Sequence, residues 1–134
     1  METEALSRGY GLPGQIRLRG GTNYPLVDFT NSAAKAYWQD GMAKLLRLGV
    51  AAFKLDRSEE NLPQDESLRV SDGRTIREYR NVYPAAYAQA AYEIAERFRG
   101  DDFIVMPRAG YSGSAPDIGA YEYGQELPHY GPRE

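Results

Sequence analysis

Apolar residues recur at intervals of three and four through two long stretches of the chain, a spacing that predicts amphipathic helices. The first helix is predicted over 33–48, after N-capping side chains at 30–32 and before Gly49, which suits the position following a helix. Its apolar face is formed by Ala34, Trp38, Met42, Leu45 and Leu46. The second helix is predicted from Pro84, whose missing N–H costs nothing in a first turn, to Gly100. Its apolar face is formed by Tyr87, Ala91, Ile94 and Phe98.

Three short apolar runs, one before, one between and one after these helices, predict strands at 25–29, 50–55 and 103–106. The last two lack polar alternation, which predicts strands buried on both faces. The order β-α-β-α-β with such strands predicts an α/β fold with parallel pairing and right-handed crossovers. Residues 57–79 are predicted to form a long polar loop, and 1–23 an irregular segment with one weak strand at 15–18.

Composition narrows the class of protein. A length of 134 residues fits one domain, and a net charge of −3 with scattered cations argues against a nucleic-acid partner. The absence of cysteine excludes disulfides and thiolate chemistry. The chain has neither a membrane-length apolar run nor the apolar core of a signal peptide, so we expect a soluble protein without a membrane partner, with the cytoplasm favoured.

Charged residues follow two of the predicted strands: Asp56 after the second and Arg108 after the third. The carboxyl ends of parallel strands line the ligand crevice in α/β proteins. Neighbouring strands would hold these ends roughly 5–10 Å apart, given their spacing of about 4.8 Å. A carboxylate that faces an arginine keeps its negative charge, which suits a nucleophile. A loop cap or a structural ion pair explains the pattern equally well, and both interpretations stay open at this point.

Other candidate sites are weaker. Acidic residues around Glu59 could form an oxygen-rich calcium site, but a solvated acidic loop is the simpler interpretation. His129 is the only histidine, which excludes a multi-histidine metal site within this chain, and its place in the tail argues against a serine–histidine triad. Among the eleven tyrosines, core packing best explains Tyr87, whereas Tyr111, after the third strand, is the better candidate for ligand contact.

Five segments together resemble glycoside hydrolase family 31, the α-glucosidase and α-xylosidase family. They are VDFTNSAAKAYW (27–38), GVAAFKLDRSEENLPQD (49–65), the DG turn (72–73), NVYPAAYAQAAYE (81–93) and PRAGYSGS (107–114). Their order and intervals fit the family as well, so the resemblance covers about residues 24–114. It implies a partial (β/α)8 TIM barrel.

The resemblance also implies site residues. Asp56 matches the catalytic nucleophile of a retaining α-glycosidase, and Glu59 matches an acidic residue that supports it. Lys54 lies in the same motif on the substrate side, and Arg108 matches an arginine that contacts the sugar. The implied partner is an oligosaccharide or α-glycoside substrate, and no metal or organic cofactor is implied.

The chain departs from the family beyond Arg108. The family's acid/base aspartate lies in a W-x-G-D-like motif, and the corresponding stretch, 120–124, contains no such motif. Instead, 115–124 resembles a C-terminal motif of right-handed parallel β-helix proteins. Three segments are therefore expected: an irregular 1–23, a barrel region 24–114 and an unrelated tail 115–134.

A complete barrel needs about 250 residues, so we expect a barrel fragment. Its open strand edges would favour self-association, and without the proton donor it would be inactive alone. Two alternatives remain: a non-catalytic carbohydrate-binding or interaction module, and a chain with no function of its own.

Overall fold

The structure, a computed structural model, describes residues 2–13, 26–56 and 62–108. These residues form, in chain order, α1 (Glu2–Ser7), α2 (Ser32–Arg47), β1 (Ala52–Leu55), α3 (Ile76–Tyr79), α4 (Tyr83–Arg99) and β2 (Ile104–Pro107). Both long helices and the strands that follow them are therefore confirmed. The predicted weak strand at 15–18 and the tail at 115–134 lie outside the described residues.

Local sequence signals define both ends of α2. The side chain of Asn31 accepts hydrogen bonds from the backbone N–H groups of Ala33 and Ala34, at 3.0 and 3.2 Å, as an N-cap does. Beyond the helix, Gly49 adopts a φ of +95°, a conformation that glycine takes without strain. The turn at Gly49 directs the chain into β1.

The two strands pair in parallel, with Ala52 opposite Ile104 and Leu55 opposite Pro107. Helix α4 connects them, and α2 packs beside α4. Apolar side chains from both helices pack with Leu55 and Val105 in one core cluster, which includes Met42, Leu46, Ala91 and Ile94. The predicted parallel pairing is thus confirmed.

The prediction that these strands are buried on both faces is wrong. Ile104 and Met106 are 52% and 45% exposed, and Lys54 is exposed beside them. Among the described residues the helices cover only the face that carries Leu55 and Val105, so the side chains of alternate residues remain in solvent. Leu45 and Phe98, predicted on the apolar helix faces, are also exposed.

Two further elements differ from expectation. In place of a strand at 25–29, the described part of that run forms a single antiparallel bridge, from Val27 to Gly11. The long polar segment contains α3, which begins with a capping box in which Thr75 and Glu78 bond each other's backbone N–H. The unpredicted α1 and α3 have six and four residues, too few for a clear apolar period.

A second, aromatic-rich core cluster lies around the start of α4. It includes Leu12, Phe29, Leu62, Val70, Ile76, Tyr79 and Tyr83. Trp38 and Tyr87 pack against both clusters. None of the helices in the described ranges is long and apolar enough to cross a membrane.

Candidate active site

The parallel register brings Asp56 and Arg108 together. The backbone N–H of Arg108 donates to the carbonyl of Leu55 at 2.8 Å, which extends the strand pairing by one step beyond the strands. The Arg108 Nε atom then lies 2.6 Å from Asp56 Oδ1. The sheet therefore ends in a hydrogen-bonded ion pair at its carboxyl edge, where α/β enzymes hold their catalytic groups.

This ion pair is open to solvent, with the Arg108 and Asp56 side chains 42% and 47% exposed. Exposed ion pairs contribute about 0–1 kcal/mol to stability. Its contribution to the fold is therefore small, and its carboxylate is accessible to a ligand.

A pocket with a volume of about 180 Å³ adjoins Asp56. Besides this carboxylate, the residues that line it are Leu26, Val27, Phe29, Trp38, Tyr83 and Tyr87. Ring faces and edges of this kind pack against the apolar faces of a ligand, while an acid at the rim fixes its orientation.

The aromatic wall is a set of rings in direct contact. Phe29 stacks on Tyr87 with ring centroids 5.7 Å apart at 24°, and it meets Trp38 edge-on at 5.4 Å and 85°. Trp38 and Tyr87 also meet edge-on, at 5.5 Å and 72°. Because the three rings touch one another, displacing one changes the shape of the pocket.

The tyrosine hydroxyls of the pocket stay protonated at neutral pH. Burial, and then the negative charge of Asp56, raise the pKa of Tyr87. Burial raises the pKa of Tyr83 well above its usual value. The residues that line the pocket therefore combine one carboxylate with protonated tyrosine hydroxyl groups.

The other predicted site residues divide into two groups. Lys54 is exposed in β1, two residues before Asp56. Glu59 and Tyr111 lie outside the described residues.

In the acidic segment, Asp65 accepts hydrogen bonds from Ser67, and Glu66 pairs with Arg80 at 3.6 Å. Within 2–13, 26–56 and 62–108, no group of three or more acidic or histidine side chains could hold a metal ion.

Most of the pocket lining is not marked by the sequence pattern. The sequence predicts Trp38 on an apolar helix face and Tyr87 in the core. It leaves Tyr83 open between sugar stacking and core packing, and it does not mark Phe29 as a ligand contact. A usable signal was present, because these rings lie in or just before the first half of α2 or α4. In βα units that half of the helix lies at the carboxyl end of the strands, beside the site.

Comparison with known proteins identifies the family. The model of the glycosyl hydrolases family 31 TIM-barrel domain matches residues 5–121. The chain belongs to glycosyl hydrolase family 31. The predicted family and the partial barrel are thereby confirmed, and the match extends beyond 24–114 at both ends.

Two family 31 relatives resemble the chain in sequence. An α-xylosidase of Lactiplantibacillus pentosus is 38% identical over 80 residues, which is 60% of this chain and 10% of the relative. An isomaltosyltransferase of Sporosarcina globispora is 35% identical over 118 residues, or 85% of this chain and 10% of the relative. The chain thus spans about a tenth of the length of these relatives.

Solved structures of similar proteins agree with this fold. A family 31 sulfoquinovosidase from E. rectale, in complex with an aza-sugar inhibitor, has a TM-score of 0.69 and 27% identity, covering 84% of this chain and 18% of that one. A cycloalternan-forming enzyme from Listeria monocytogenes, in complex with a pentasaccharide substrate, has a TM-score of 0.70 and 26% identity. It covers 84% of this chain and 11% of the enzyme.

Proposed function

We propose that this family 31 chain carries the nucleophile side of a retaining α-glycosidase centre, with Asp56 as the nucleophile. One observation carries the proposal: the Asp56 carboxylate, paired with Arg108 at the end of two parallel strands, lies at an aromatic pocket. A structural ion pair alone would not need that pocket beside it.

The size of the pocket supports a small occupant. At about 180 Å³ it is below the roughly 300–1,000 Å³ of pockets that hold drug-sized ligands. One pyranose ring, with polar edges for Asp56 and an apolar face for the aromatic wall, fits this description. The similar proteins include an α-xylosidase and an isomaltosyltransferase, so an α-xyloside or α-glucoside is the proposed substrate.

The proposed chemistry assigns roles to the neighbouring residues. An Asp56 oxygen attacks the anomeric carbon, the bond to the leaving oxygen breaks with its electron pair, and a glycosyl ester forms. Arg108 holds the carboxylate in place through the 2.6 Å ion pair and contacts the sugar. Lys54 and Tyr111 contact the substrate, and Glu59 supports the nucleophile.

Hydrolysis also requires a proton for the leaving oxygen. Because 120–124 contains no W-x-G-D-like motif, we expect the chain alone to process ordinary α-glycosides slowly or not at all. General acid assistance is typically worth about 10²–10⁴-fold in rate. Fluoride leaves without prior protonation, so a glycosyl fluoride tests the nucleophile independently of the acid.

The test is intact-protein mass spectrometry after incubation with α-xylosyl fluoride and with α-glucosyl fluoride. We expect the added mass of one glycosyl unit, mapped by peptide digestion to Asp56, and no addition in Asp56→Asn. Asp65→Asn is the matched control, because Asp65 is an exposed carboxylate that accepts a hydrogen bond from Ser67 and does not line the pocket.

Calorimetry with xylose and glucose, combined with the mass spectrometry, distinguishes the alternative function from the proposed one. If the wild-type chain binds xylose or glucose in calorimetry but forms no adduct, the nucleophile proposal is wrong. Binding that survives Asp56→Ala and is lost in Tyr111→Ala would then support a non-catalytic carbohydrate-binding module.

A further inference from the structure

A second carboxylate, Asp28, lies behind the pocket wall. Its side chain is 2% exposed, and its two chain neighbours, Val27 and Phe29, both line the pocket. Carboxylates are rarely buried unless their charge is compensated, because desolvation of the charge is costly. The surroundings of Asp28 therefore require an explanation.

Four hydrogen bonds satisfy this carboxylate. Asp28 Oδ1 accepts from the backbone N–H of Thr30 at 2.9 Å and from its hydroxyl at 2.6 Å. Asp28 Oδ2 accepts from the backbone N–H of Ser71 at 2.8 Å and from its hydroxyl at 2.6 Å. Each oxygen thus binds one backbone and one side-chain donor, and bonds to a charged acceptor are the stronger kind.

These bonds join segments that are distant in sequence. Ser71 lies 43 residues beyond Asp28, in the turn before α3. The backbone N–H of Asp28 also donates to the carbonyl of Tyr10 at 2.9 Å. One residue therefore connects three described segments, around residues 10, 28 and 71.

The connection holds the part of the wall that has no regular secondary structure. Trp38 and Tyr87 are carried by helices α2 and α4, whereas Phe29 lies in a turn before α2. Phe29 nevertheless contacts both rings, at 5.4 and 5.7 Å. The side chain of its neighbour Asp28 joins this turn to the turn that carries Ser71.

We infer that Asp28 is a positioning residue for the pocket: its four hydrogen bonds hold Phe29 against Trp38 and Tyr87 and thereby define the width of the sugar site. The sugar in this statement rests on the proposed function, whereas the positioning of the rings does not. The two parts can therefore be tested separately.

Trp38 provides the first readout, because it is the only tryptophan of the chain and lies in the pocket wall. In Asp28→Asn the amide keeps the shape of the side chain but presents NH₂ in place of one acceptor oxygen. We expect a shifted Trp38 emission and greater quenching by acrylamide, measured under conditions where circular dichroism shows the variant to be folded. Xylose and glucose affinity should fall about tenfold, since a hydrogen bond to a charged group is worth roughly that factor.

Asp65 and Ser67 supply a matched control. Asp65 accepts from the backbone N–H and hydroxyl of Ser67 at 3.0 and 2.6 Å, the same pair of bonds as at Asp28 Oδ2, but on the exposed surface. Asp65→Asn and Ser67→Ala should leave Trp38 emission and sugar affinity unchanged. Ser71→Ala, which removes only one hydroxyl donor, carries the test if Asp28→Asn does not fold.

The outcomes are distinct. Unchanged Trp38 emission and quenching in folded Asp28→Asn or Ser71→Ala, with only a lower melting temperature, would show that Asp28 is merely structural and overturn the inference. A changed Trp38 signal supports the positioning role. If no form of the protein binds sugar while Trp38 responds, the proposed function fails and the positioning role stands.

Discussion

At the scale of single residues, the site combines an exposed ion pair with buried aromatic side chains, and these contribute differently to stability. The Asp56–Arg108 pair is exposed and contributes little to stability. The tyrosines behind it are buried, and Tyr79 is fully so, with a hydroxyl that has no hydrogen-bond partner among the described residues. The ion pair can therefore be altered at little cost in stability, whereas Tyr83 belongs both to the core and to the pocket lining.

Alkaline pH should destabilise the protein through these buried tyrosines. Burial raises the pKa of both Tyr79 and Tyr83 above the usual value near 10. Above pH 10 the unfolded chain releases protons that the folded chain retains. The stabilisation is thus fully present below the unfolded-state pKa and is lost as pH rises toward and through the folded-state pKa, by up to about 1.4 kcal/mol per pH unit for each tyrosine.

Urea unfolding at several pH values between 8 and 11 checks this prediction. Tyr79→Phe keeps the ring and removes the titrating hydroxyl. The free energy of unfolding should then fall less steeply with rising pH, by up to about 1.4 kcal/mol per pH unit. We call this dependence of the unfolding free energy on pH the alkaline slope. Tyr92→Phe is the comparison variant, because Tyr92 is half exposed on α4 and its pKa is raised chiefly by the negative charge of Glu96 and not by burial. It should therefore change the alkaline slope less than Tyr79→Phe. An alkaline slope unchanged by Tyr79→Phe would mean that Tyr79 ionises equally in both states.

At the scale of elements, α2 carries Trp38 into the pocket wall and begins immediately after the Phe29 turn. Its start depends on one side chain, because Asn31 accepts from two of the otherwise unpaired N–H groups of the first turn. Asn31→Ala should lower the free energy of unfolding by about 1 kcal/mol.

Asn31→Asp is the matched variant for that measurement. Its carboxylate keeps the acceptor and adds a negative charge at the positive end of the helix dipole, so we expect stability close to or above that of the wild type. Chemical denaturation of the three forms compares them directly. Equal stability of Asn31→Ala and the wild type would show that the cap contributes nothing here.

Elements with a strong local period were predictable from the sequence, and those stabilised by distant contacts were not. The spacing of Trp38 and Met42 on α2, and the glycines at 49 and 100, marked the long helices to within one or two residues. Helix α3 was missed because four residues carry no period, and its stability comes from a capping box and the burial of Ile76. The burial of both strand faces was predicted wrongly, because an uninterrupted apolar run such as 103–106 does not indicate which of its two faces a helix covers.

The candidate site divides in the same way. Asp56 and Arg108 were predicted to lie close together because strand ends and parallel pairing can be inferred from local patterns, and the 2.6 Å contact agrees. The pocket wall depends on Phe29, Trp38 and Tyr87 meeting across 58 positions of sequence (87 − 29). Only the tertiary fold, including the link from Asp28 to Ser71, brings these rings together.

At the scale of the whole molecule, the chain presents one sector of a family 31 barrel, and the described sheet has two strands. The sheet face opposite the helices carries the exposed side chains of Ala52, Lys54, Ile104 and Met106. We call this surface the open sheet face. Unpaired strand edges beside exposed apolar side chains favour association with another chain.

We expect the 134-residue chain to associate with itself through the open sheet face, in a concentration-dependent manner. Sedimentation velocity over a hundredfold range of concentration measures this directly. Ile104→Lys and Met106→Lys place charges on the face and should shift the distribution toward monomer. Both residues point away from the helices, so the fold and the Trp38 emission should be retained.

Val82→Lys is the matched control for this experiment. Val82 is 39% exposed, close to the exposure of Met106, but it lies at the start of α4 and not on the sheet. If Val82→Lys disrupts association as strongly as Ile104→Lys, a general reduction in surface hydrophobicity is responsible and the open sheet face is not the contact. If the wild type is monomeric at every concentration, the open sheet face does not drive this chain to associate.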